Sequence, residues 1–162
     1  MNDNHYKNKI KTAEEIVKIV GNRPRQKKII MCHGNFDIVH PGHIRHLMFA
    51  SSRADILVAS LTCDVHITKG DNRPYVPEEL RAINLSVLDM VDYVIIDTNS
   101  KPIKNINTIK PDYFAKGSDY ITDGLHPKTL EEKKLVESYG GEIIFTPGDI
   151  VFSSTSIIDQ KP

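Results

Sequence analysis

Short apolar runs alternate with amphipathic or charged stretches along the chain. Five runs rich in branched and aromatic residues have the length of buried strands, and they predict β-strands over 29–32, 56–61, 93–96, 113–115 and 143–145. The intervals between them predict helices. Strands that alternate with helices are typical of a parallel sheet covered on both faces. The pattern therefore predicts a single α/β domain, built as a doubly wound, Rossmann-like, parallel five-stranded sheet with helices on both faces.

Local signals predict where several of the helices begin and end. Thr12 and Glu15 have the spacing of a capping box and predict a helix to about Val20. Pro41 suits the first turn of a second helix, which we expect to run to about Arg53. A long polar loop over 62–76 precedes a third helix. The apolar residues of this third helix recur with a period of 3.6 residues. They predict a buried face formed by Leu80, Ile83, Val87, Leu88 and Val91.

Length and charge narrow the classes of function. We treat residues 1–162 as one domain, with flexible ends over 1–11 and 159–162. Lys plus Arg and Asp plus Glu are both 21, which argues against a broad surface for nucleic acid or for anionic lipid. The N-terminus lacks the apolar core of a signal peptide, and no run has membrane-spanning length. We therefore expect a cytoplasmic protein with no nucleic-acid or membrane partner.

The loop between the first predicted strand and the second helix has the chemistry of a phosphate site. In doubly wound sheets, ligands bind at the carboxyl ends of the strands, where this loop lies. Gly34 and Gly42 let a ligand approach the backbone closely, and Pro41 leaves the amides of Gly42 and His43 to face an anion. His40 and His43 are three residues apart in the first helical turn, so their rings can flank one phosphate.

Two other interpretations of the histidines remain open. Each ring alone could simply cap the helix, because single histidines are common satisfied polar residues. Metal binding is the second alternative, since His46 adds a further helical step. No carboxylate or cysteine completes a ligand set at suitable spacing, and Cys32 and Cys63 lack metal spacing. We therefore predict phosphate binding and no metal held by the protein.

A longer series of motifs points to a family. The segment H-G-N-F-D-I-V-H-P-G-H-I-R-H-L resembles the G-x-F-D-x-x-H-x-G-H signature of the cytidylyltransferase-like nucleotidyltransferases. K-G-D-N-R-P, E-E-L-R, V-D-Y-V, K-P-D, K-G-S-D-Y, G-G-E-I-I-F and S-S-T-S-I-I recur in similar order. The likeness spans 14–158 and is greatest to the nucleotidyltransferase half of bifunctional ADP-heptose synthase. Glycerol-3-phosphate cytidylyltransferase is also similar, although the arginine before its Ser-Thr run is missing here.

The resemblance implies a role for each matching residue. Asn35 and Phe36 would lie under the triphosphate through their backbone, and His40 and His43 would stabilise the α-phosphate. Lys69 would neutralise phosphate charge from the long loop. The remaining implied nucleotide contacts are Arg81 in the third helix, Lys116, Gly117, Asp119 and Tyr120 at the nucleoside, and Ser153, Ser154 and Thr155 at the β- and γ-phosphates.

Simpler interpretations of these residues stay open beside the implied ones. Lys69 could be a solvated loop charge, and Arg81 could pair with Glu78 on its own helix. Ser153–Thr155 could be only an N-cap, and Asp119-Tyr120 could be ordinary turn residues. His33 directly precedes the glycine loop and is a candidate for shaping it.

The implied reaction transfers CMP or AMP from CTP or ATP to a phosphorylated sugar, polyol or phosphonate acceptor and releases pyrophosphate. Mg²⁺ would travel with the nucleoside triphosphate. The resemblance also implies a homodimer. The alternative from another class is a non-catalytic nucleotide-binding module associated with a sugar kinase.

Overall fold

The computed structural model describes residues 5–68, 70, 72–117 and 125–147. Within these ranges, five parallel strands form one sheet in the order β3-β2-β1-β4-β5. The strands are β1 (Ile29–Gly34), β2 (Ile56–Thr62), β3 (Tyr93–Asp97), β4 (Tyr113–Gly117) and β5 (Glu142–Thr146). The helices are α1 (Ala13–Val20), α2 (Pro41–Ser51), α3 (Glu78–Ser86), α4 (Ile103–Ile109) and α5 (Pro127–Ser138). The predicted doubly wound α/β sheet is confirmed.

Both faces of the sheet are covered, which explains why each strand contains a continuous apolar run rather than an alternating pattern. One face packs against α2 and α3, and Leu47 and Leu85 lie in its core. The other packs against α1, α4 and α5, with Ile16, Ile106 and Val136 in its core. All seven residues of the interior strand β2 are buried.

The strand order creates the position of the site. The chain winds outward from β1 through β2 to β3, and then returns to place β4 on the other side of β1. The connections that leave β1 and β4 therefore diverge at their carboxyl ends, which is where doubly wound folds bind ligands. Helix α2 begins at this point, directly after the loop that leaves β1.

The local signals at the helix starts are confirmed. The Thr12 hydroxyl accepts from the Glu15 amide at 3.2 Å, and the Glu15 carboxylate accepts from the Thr12 amide at 2.8 Å. Pro41 is the first residue of α2. Part of the N-terminal segment that we expected to be flexible contacts the edge strand β3, because Ile10 forms a bridge with Val94. Residues 159–162 lie outside the described part of the chain.

The predicted buried face of α3 is wrong at Leu80 and Val87, whereas Leu88 packs against the core and Val91, beyond the helix, is fully buried. The helix ends at Ser86, and Leu80 and Val87 are 52% and 60% exposed. The helix instead buries Arg81, whose side chain is fully enclosed, together with Ala82, Leu85 and Ser86. Burying the guanidinium group, which finds several carbonyl partners there, turns the helix by about one residue, roughly 100° of rotation.

None of the helices in the ranges listed above is long and apolar enough to cross a membrane.

Candidate active site

The turn after β1 has an unusual backbone at Phe36. This residue has φ of 48°, in the left-handed region that a bulky side chain adopts only at a cost. Phe36 is buried, and its ring packs against His43, with ring centroids 5.0 Å apart. The Asn35 carbonyl, one residue earlier, accepts a hydrogen bond from Arg81 at 2.5 Å. Contacts from α2 and α3 thus hold the turn in a strained shape, which is common at ligand sites.

His40 caps α2 with one ring nitrogen and leaves the other available. Its Nδ1 accepts a hydrogen bond from the backbone amide of Gly42 at 3.2 Å. A neutral imidazole that accepts at Nδ1 carries its proton at Nε2, so Nε2 can donate to a ligand. The same bond corrects one expectation: the Gly42 amide is engaged by His40 and does not face an anion.

His43 stacks on His40 at the start of the helix. The two ring centroids are 3.9 Å apart, with an interplanar angle of 27°. Burial lowers the pKa of His43 to about 4, with smaller contributions from His40 and His46 and an opposing one from the Ile38 backbone. Burial also lowers the pKa of His40. Both rings are therefore neutral near pH 7, so each carries one N–H that can donate and one nitrogen that can accept a hydrogen bond.

Asp37 fastens the long loop onto the turn over 34–43, which we call the phosphate turn after the role predicted for it, and sequence reasoning assigned Asp37 no role. One carboxylate oxygen accepts from the amides of Tyr75 and Val76 at 2.9 and 3.0 Å. The other accepts from the Arg73 guanidinium at 2.7 Å. The Asp of the G-N-F-D motif could have indicated this role, because Asp side chains readily accept hydrogen bonds from backbone amides in turns. Its partners, some 36 to 39 residues away, are set by the fold.

Arg81 also fastens this loop to the turn, through hydrogen bonds from its guanidinium group. Its guanidinium group donates to the carbonyls of Val76, Asn35 and Thr62 at 2.8, 2.5 and 2.8 Å. It also pairs with the Asp64 carboxylate at 2.6 Å. The pairing with Glu78 that the sequence left open is not formed, and the Glu78 carboxylate accepts from the Asp64 amide instead. The structure thus places Arg81 against the turn after β1, and its guanidinium N–H groups donate to protein oxygens.

The carboxyl end of β4 lies beside that of β1 and carries two of the implied nucleotide contacts. Gly117 ends this strand. Lys116 is buried, and its ammonium group is bound by the equally buried Glu132 at 2.7 Å. At the end of β5, Thr146 lies 2.5 Å from His46 Nδ1, which ties this strand to α2.

His33 is held at the end of β1, on the other side of the turn. Its Nδ1 lies 2.9 Å from the Ser60 hydroxyl and its Nε2 lies 3.2 Å from the Thr62 hydroxyl. Burial, assisted by the charge of Lys116, lowers the pKa of His33 to about 3, so the ring is neutral at pH 7. The expectation that His33 shapes the loop stays a prediction.

Several implied contacts fall outside the described part of the chain. These residues are Lys69, Asp119, Tyr120, Ser153, Ser154 and Thr155. Their roles stay predictions.

A histidine pair thus marks the start of α2, at the point where the connections from β1 and β4 diverge. A model of the cytidylyltransferase-like proteins matches residues 31–160. The chain belongs to the cytidylyltransferase-like family. It is a nucleotidyltransferase.

Relatives within the family are identical to this chain at more than a third of the aligned positions. The bifunctional protein HldE of Geobacter metallireducens is 37% identical over 155 residues, and HldE of Helicobacter pylori is 38% identical over 138 residues. The matches cover 94% and 83% of this chain, but only 31% and 28% of those proteins. This cytidylyltransferase-like chain thus corresponds to less than a third of each bifunctional relative.

Solved structures agree with the fold. A lipopolysaccharide core biosynthesis protein from Thermoplasma volcanium GSS1 has a TM-score of 0.63 and 25% identity, covering 75% of this chain and 98% of its own. Pantoate-beta-alanine ligase from Francisella tularensis has a TM-score of 0.60 over 92% of this chain and 75% of its own. Its identity is 18%, so it supports the fold alone.

Gly34 offers a test of whether a ligand approaches the turn. A Cβ at this position would lie no closer than 3.4 Å to other atoms, all of them in the Phe36 ring. We expect Gly34→Ala to change the free energy of unfolding by less than about 1 kcal/mol. It should nevertheless raise KM for the triphosphate, because the methyl group occupies the space that a phosphate needs. A wild-type KM, with unchanged thermal unfolding, would show that no phosphate passes close to Gly34.

Proposed function

We propose that this chain catalyses attack by a phosphate or phosphonate oxygen of an acceptor on the α-phosphorus of a nucleoside triphosphate. The new bond joins that oxygen to the α-phosphorus, the bond to the β-phosphate oxygen breaks, and pyrophosphate leaves. The single observation that carries this proposal is the stacked pair of His40 and His43 at the start of α2. The pair follows the carboxyl end of β1, beside which β4 lies, and this is where a nucleotide is expected in this fold.

The histidines would act by stabilising charge. Negative charge grows on the non-bridging oxygens of the α-phosphate as a fifth oxygen approaches. His40 has a free N–H at Nε2 because its Nδ1 accepts from Gly42. His43 is held against it by stacking and by Phe36, so both rings are oriented before the substrate arrives. Fixed donors of this kind need no reorganisation during the reaction, which is the main source of catalysis by electrostatic stabilisation.

No general base is needed in this scheme. A phosphate monoester is largely ionised at neutral pH, so its oxygen attacks without first losing a proton. Catalysis then rests on positioning and on charge stabilisation. Mg²⁺ enters as part of the triphosphate substrate. Asp37, the carboxylate of the turn itself, supports this assignment because both its oxygens already accept bonds from Arg73 and from the loop backbone.

The loop over 62–76 would bring further positive charge. Its two ends are fastened to the phosphate turn, one by Arg81 at Thr62 and the other by Asp37 at Val76. We propose that Lys69, between these ends, neutralises the phosphates during transfer. Ser153, Ser154 and Thr155 would bind the β- and γ-phosphates, and Lys116, Gly117, Asp119 and Tyr120 would surround the nucleoside.

ATP is the first triphosphate to test and CTP the second, because the resemblance is greatest to the nucleotidyltransferase half of ADP-heptose synthases. For the acceptor we propose a phosphorylated sugar, with a polyol phosphate and a phosphonate as the other candidates. A homodimer is also proposed on the resemblance. The relatives are bifunctional and much longer, so a kinase partner belongs to the proposal as well.

Pyrophosphate release tests the proposal directly. The purified chain is incubated with Mg²⁺ and each of ATP, CTP, GTP and UTP against a panel of hexose 1-phosphates, glycerol 3-phosphate and small phosphonates. We expect pyrophosphate to appear only when an acceptor is present, in amounts equal to the nucleotidylated product. Nucleotide binding without pyrophosphate for every acceptor would contradict transfer and would favour a non-catalytic nucleotide-binding module.

A further inference from the structure

Four polar side chains form a row at the carboxyl ends of β1, β2 and β3. This polar row consists of His33, Ser60, Thr62 and Asp97. His33 is the register partner of Ser60, and Thr62 is the register partner of Asp97. Partners on neighbouring parallel strands point to the same side of the sheet, and so do residues two apart on one strand. The row therefore lies on a single face, the one covered by α1, α4 and α5.

The polar row is an abrupt change in the chemistry of that face. Two residues back on the same three strands, the face carries Met31, Val58 and Ile95, all of them in the hydrophobic core. Packing of the sheet against the helices does not require polar groups at the next level, and burying them is costly unless they are fully paired. A polar row at this level therefore indicates a function other than packing.

One acceptor in the row has no donor. Asp97 is fully buried, and its Oδ1 accepts from the backbone and side-chain nitrogens of Asn99 at 2.9 and 2.8 Å. Its Oδ2 is enclosed and has no hydrogen-bond partner in the described structure. His33 Nδ1 is 3.9 Å away, too far for a hydrogen bond. A buried carboxylate oxygen without a hydrogen-bond donor is strongly disfavoured. We therefore expect Asp97 Oδ2 to accept a hydrogen bond from a group outside the chain.

A second unpaired group lies on the helix that covers this region. Thr129 is fully buried on α5, and its hydroxyl has no partner among the described residues. Glu132, one turn later and therefore on the same helix face, binds Lys116 of β4. The charge of Lys116 reaches His33, whose pKa it helps to lower. The polar row, the Lys116–Glu132 pair and Thr129 thus form one polar region at the carboxyl edge.

We infer that the polar row binds hydroxyl groups of the phosphorylated acceptor and thereby determines which acceptor is used; this inference rests on the proposed nucleotidyl transfer. The row lies beside the phosphate turn, because His33 directly precedes Gly34. Its outer end is accessible at His33, whose side chain is 13% exposed. Because Ser60 already occupies His33 Nδ1 at 2.9 Å, an acceptor hydroxyl would bind at Asp97 Oδ2, about 2.8 Å away, after a small displacement of the His33 ring. It would donate its proton to the unpaired carboxylate oxygen.

The chemistry of the row favours hydroxyl groups over a second phosphate. His33 is a neutral ring that both donates and accepts, and Ser60 and Thr62 do the same. Asp97 repels an anion but accepts readily from a hydroxyl. The ammonium group of Lys116 is bound by Glu132, so its charge is compensated. These groups complement a polyhydroxylated acceptor such as a sugar phosphate, and they disfavour a phosphonate that lacks hydroxyl groups.

Acceptor kinetics of the full chain test the inference. The acceptors are the best hexose 1-phosphate of the panel, its monodeoxy analogues, and ethylphosphonate. We expect Asp97→Asn to raise KM for the hexose phosphate by about 10-fold or more while leaving KM for the triphosphate unchanged, since a hydrogen bond to a charged group is lost. The preference for the hexose phosphate over one deoxy analogue should fall by a similar factor. Ser60→Ala, which removes a single oxygen atom, should give a smaller shift in the same direction.

Asp92→Asn is the matched control. The Asp92 carboxylate accepts from the Leu57 amide at 2.8 Å, at the opposite, amino edge of the same strands. This variant should lose stability without a change in the acceptor KM. The inference is overturned if Asp97→Asn and Ser60→Ala keep the wild-type preference between the hexose phosphate and every deoxy analogue, or if ethylphosphonate is the best acceptor. A chain that releases no pyrophosphate with any acceptor overturns the proposed function itself, and that result is distinct from both.

Discussion

Replacing His43 by alanine should lower kcat for pyrophosphate release by about 10²–10³-fold, the usual effect of removing one fixed donor to a developing negative charge. His43 is stacked on His40 and packed against Phe36, and its pKa of about 4 keeps it a neutral donor at pH 7. The loss should fall on kcat rather than on KM, because the charge that the ring stabilises grows only in the transition state. Steady-state kinetics with saturating acceptor will measure it.

His66→Ala is the control for this variant. His66 is a half-buried histidine that contacts the Thr98 carbonyl at 3.1 Å, and the variant should keep wild-type kcat. Thermal unfolding of His43→Ala should stay close to that of the wild type, since the ring is only part of the surface that covers Phe36. A His43→Ala enzyme with wild-type turnover would remove the histidine pair from the mechanism.

Replacing Arg81 by methionine should destabilise the protein by about 3–5 kcal/mol, the range for breaking a buried charged network by removing one partner. The guanidinium group is fully buried and satisfies three carbonyls and one carboxylate. Methionine fills similar space but leaves all of these acceptors without a donor. For a domain of this size, we expect the Tm to fall by roughly 10 °C. Denaturant and thermal unfolding will measure the loss.

Arg53→Met provides the comparison on an exposed site. Arg53 lies over the Phe49 ring at 4.7 Å, and its removal should cost less than about 1 kcal/mol. Arg81→Lys separates two roles for Arg81, because lysine keeps the charge but cannot make four directed bonds. Loss of stability in this variant indicates that Arg81 positions the loop. Wild-type stability combined with a raised KM for the triphosphate would instead indicate direct contact with the nucleotide.

The order and type of the described elements follow from local signals in the sequence. Each strand contains a continuous apolar run, Thr12 and Glu15 cap α1 through amides three residues apart, and Pro41 begins α2. The phosphate turn is also local, because His40 and His43 share the first turn of one helix. Such features are predictable because the interacting groups are neighbours along the chain.

Tertiary structure decided which face of α3 is buried and what the polar residues around the turn contact. The apolar period favoured a face with Leu80 and Val87, but the helix buries Arg81 because its acceptors lie in segments as far away as Asn35. Asp37 likewise finds its donors 36 to 39 residues later. The polar row joins three strands in a register that no local pattern encodes. The sequence by itself determined the order of the elements and the local residues of the phosphate turn. Hydrogen bonds between distant segments decided how the site around that turn is held. The sequence could not specify these bonds, because no spacing along the chain tells which distant groups will pair.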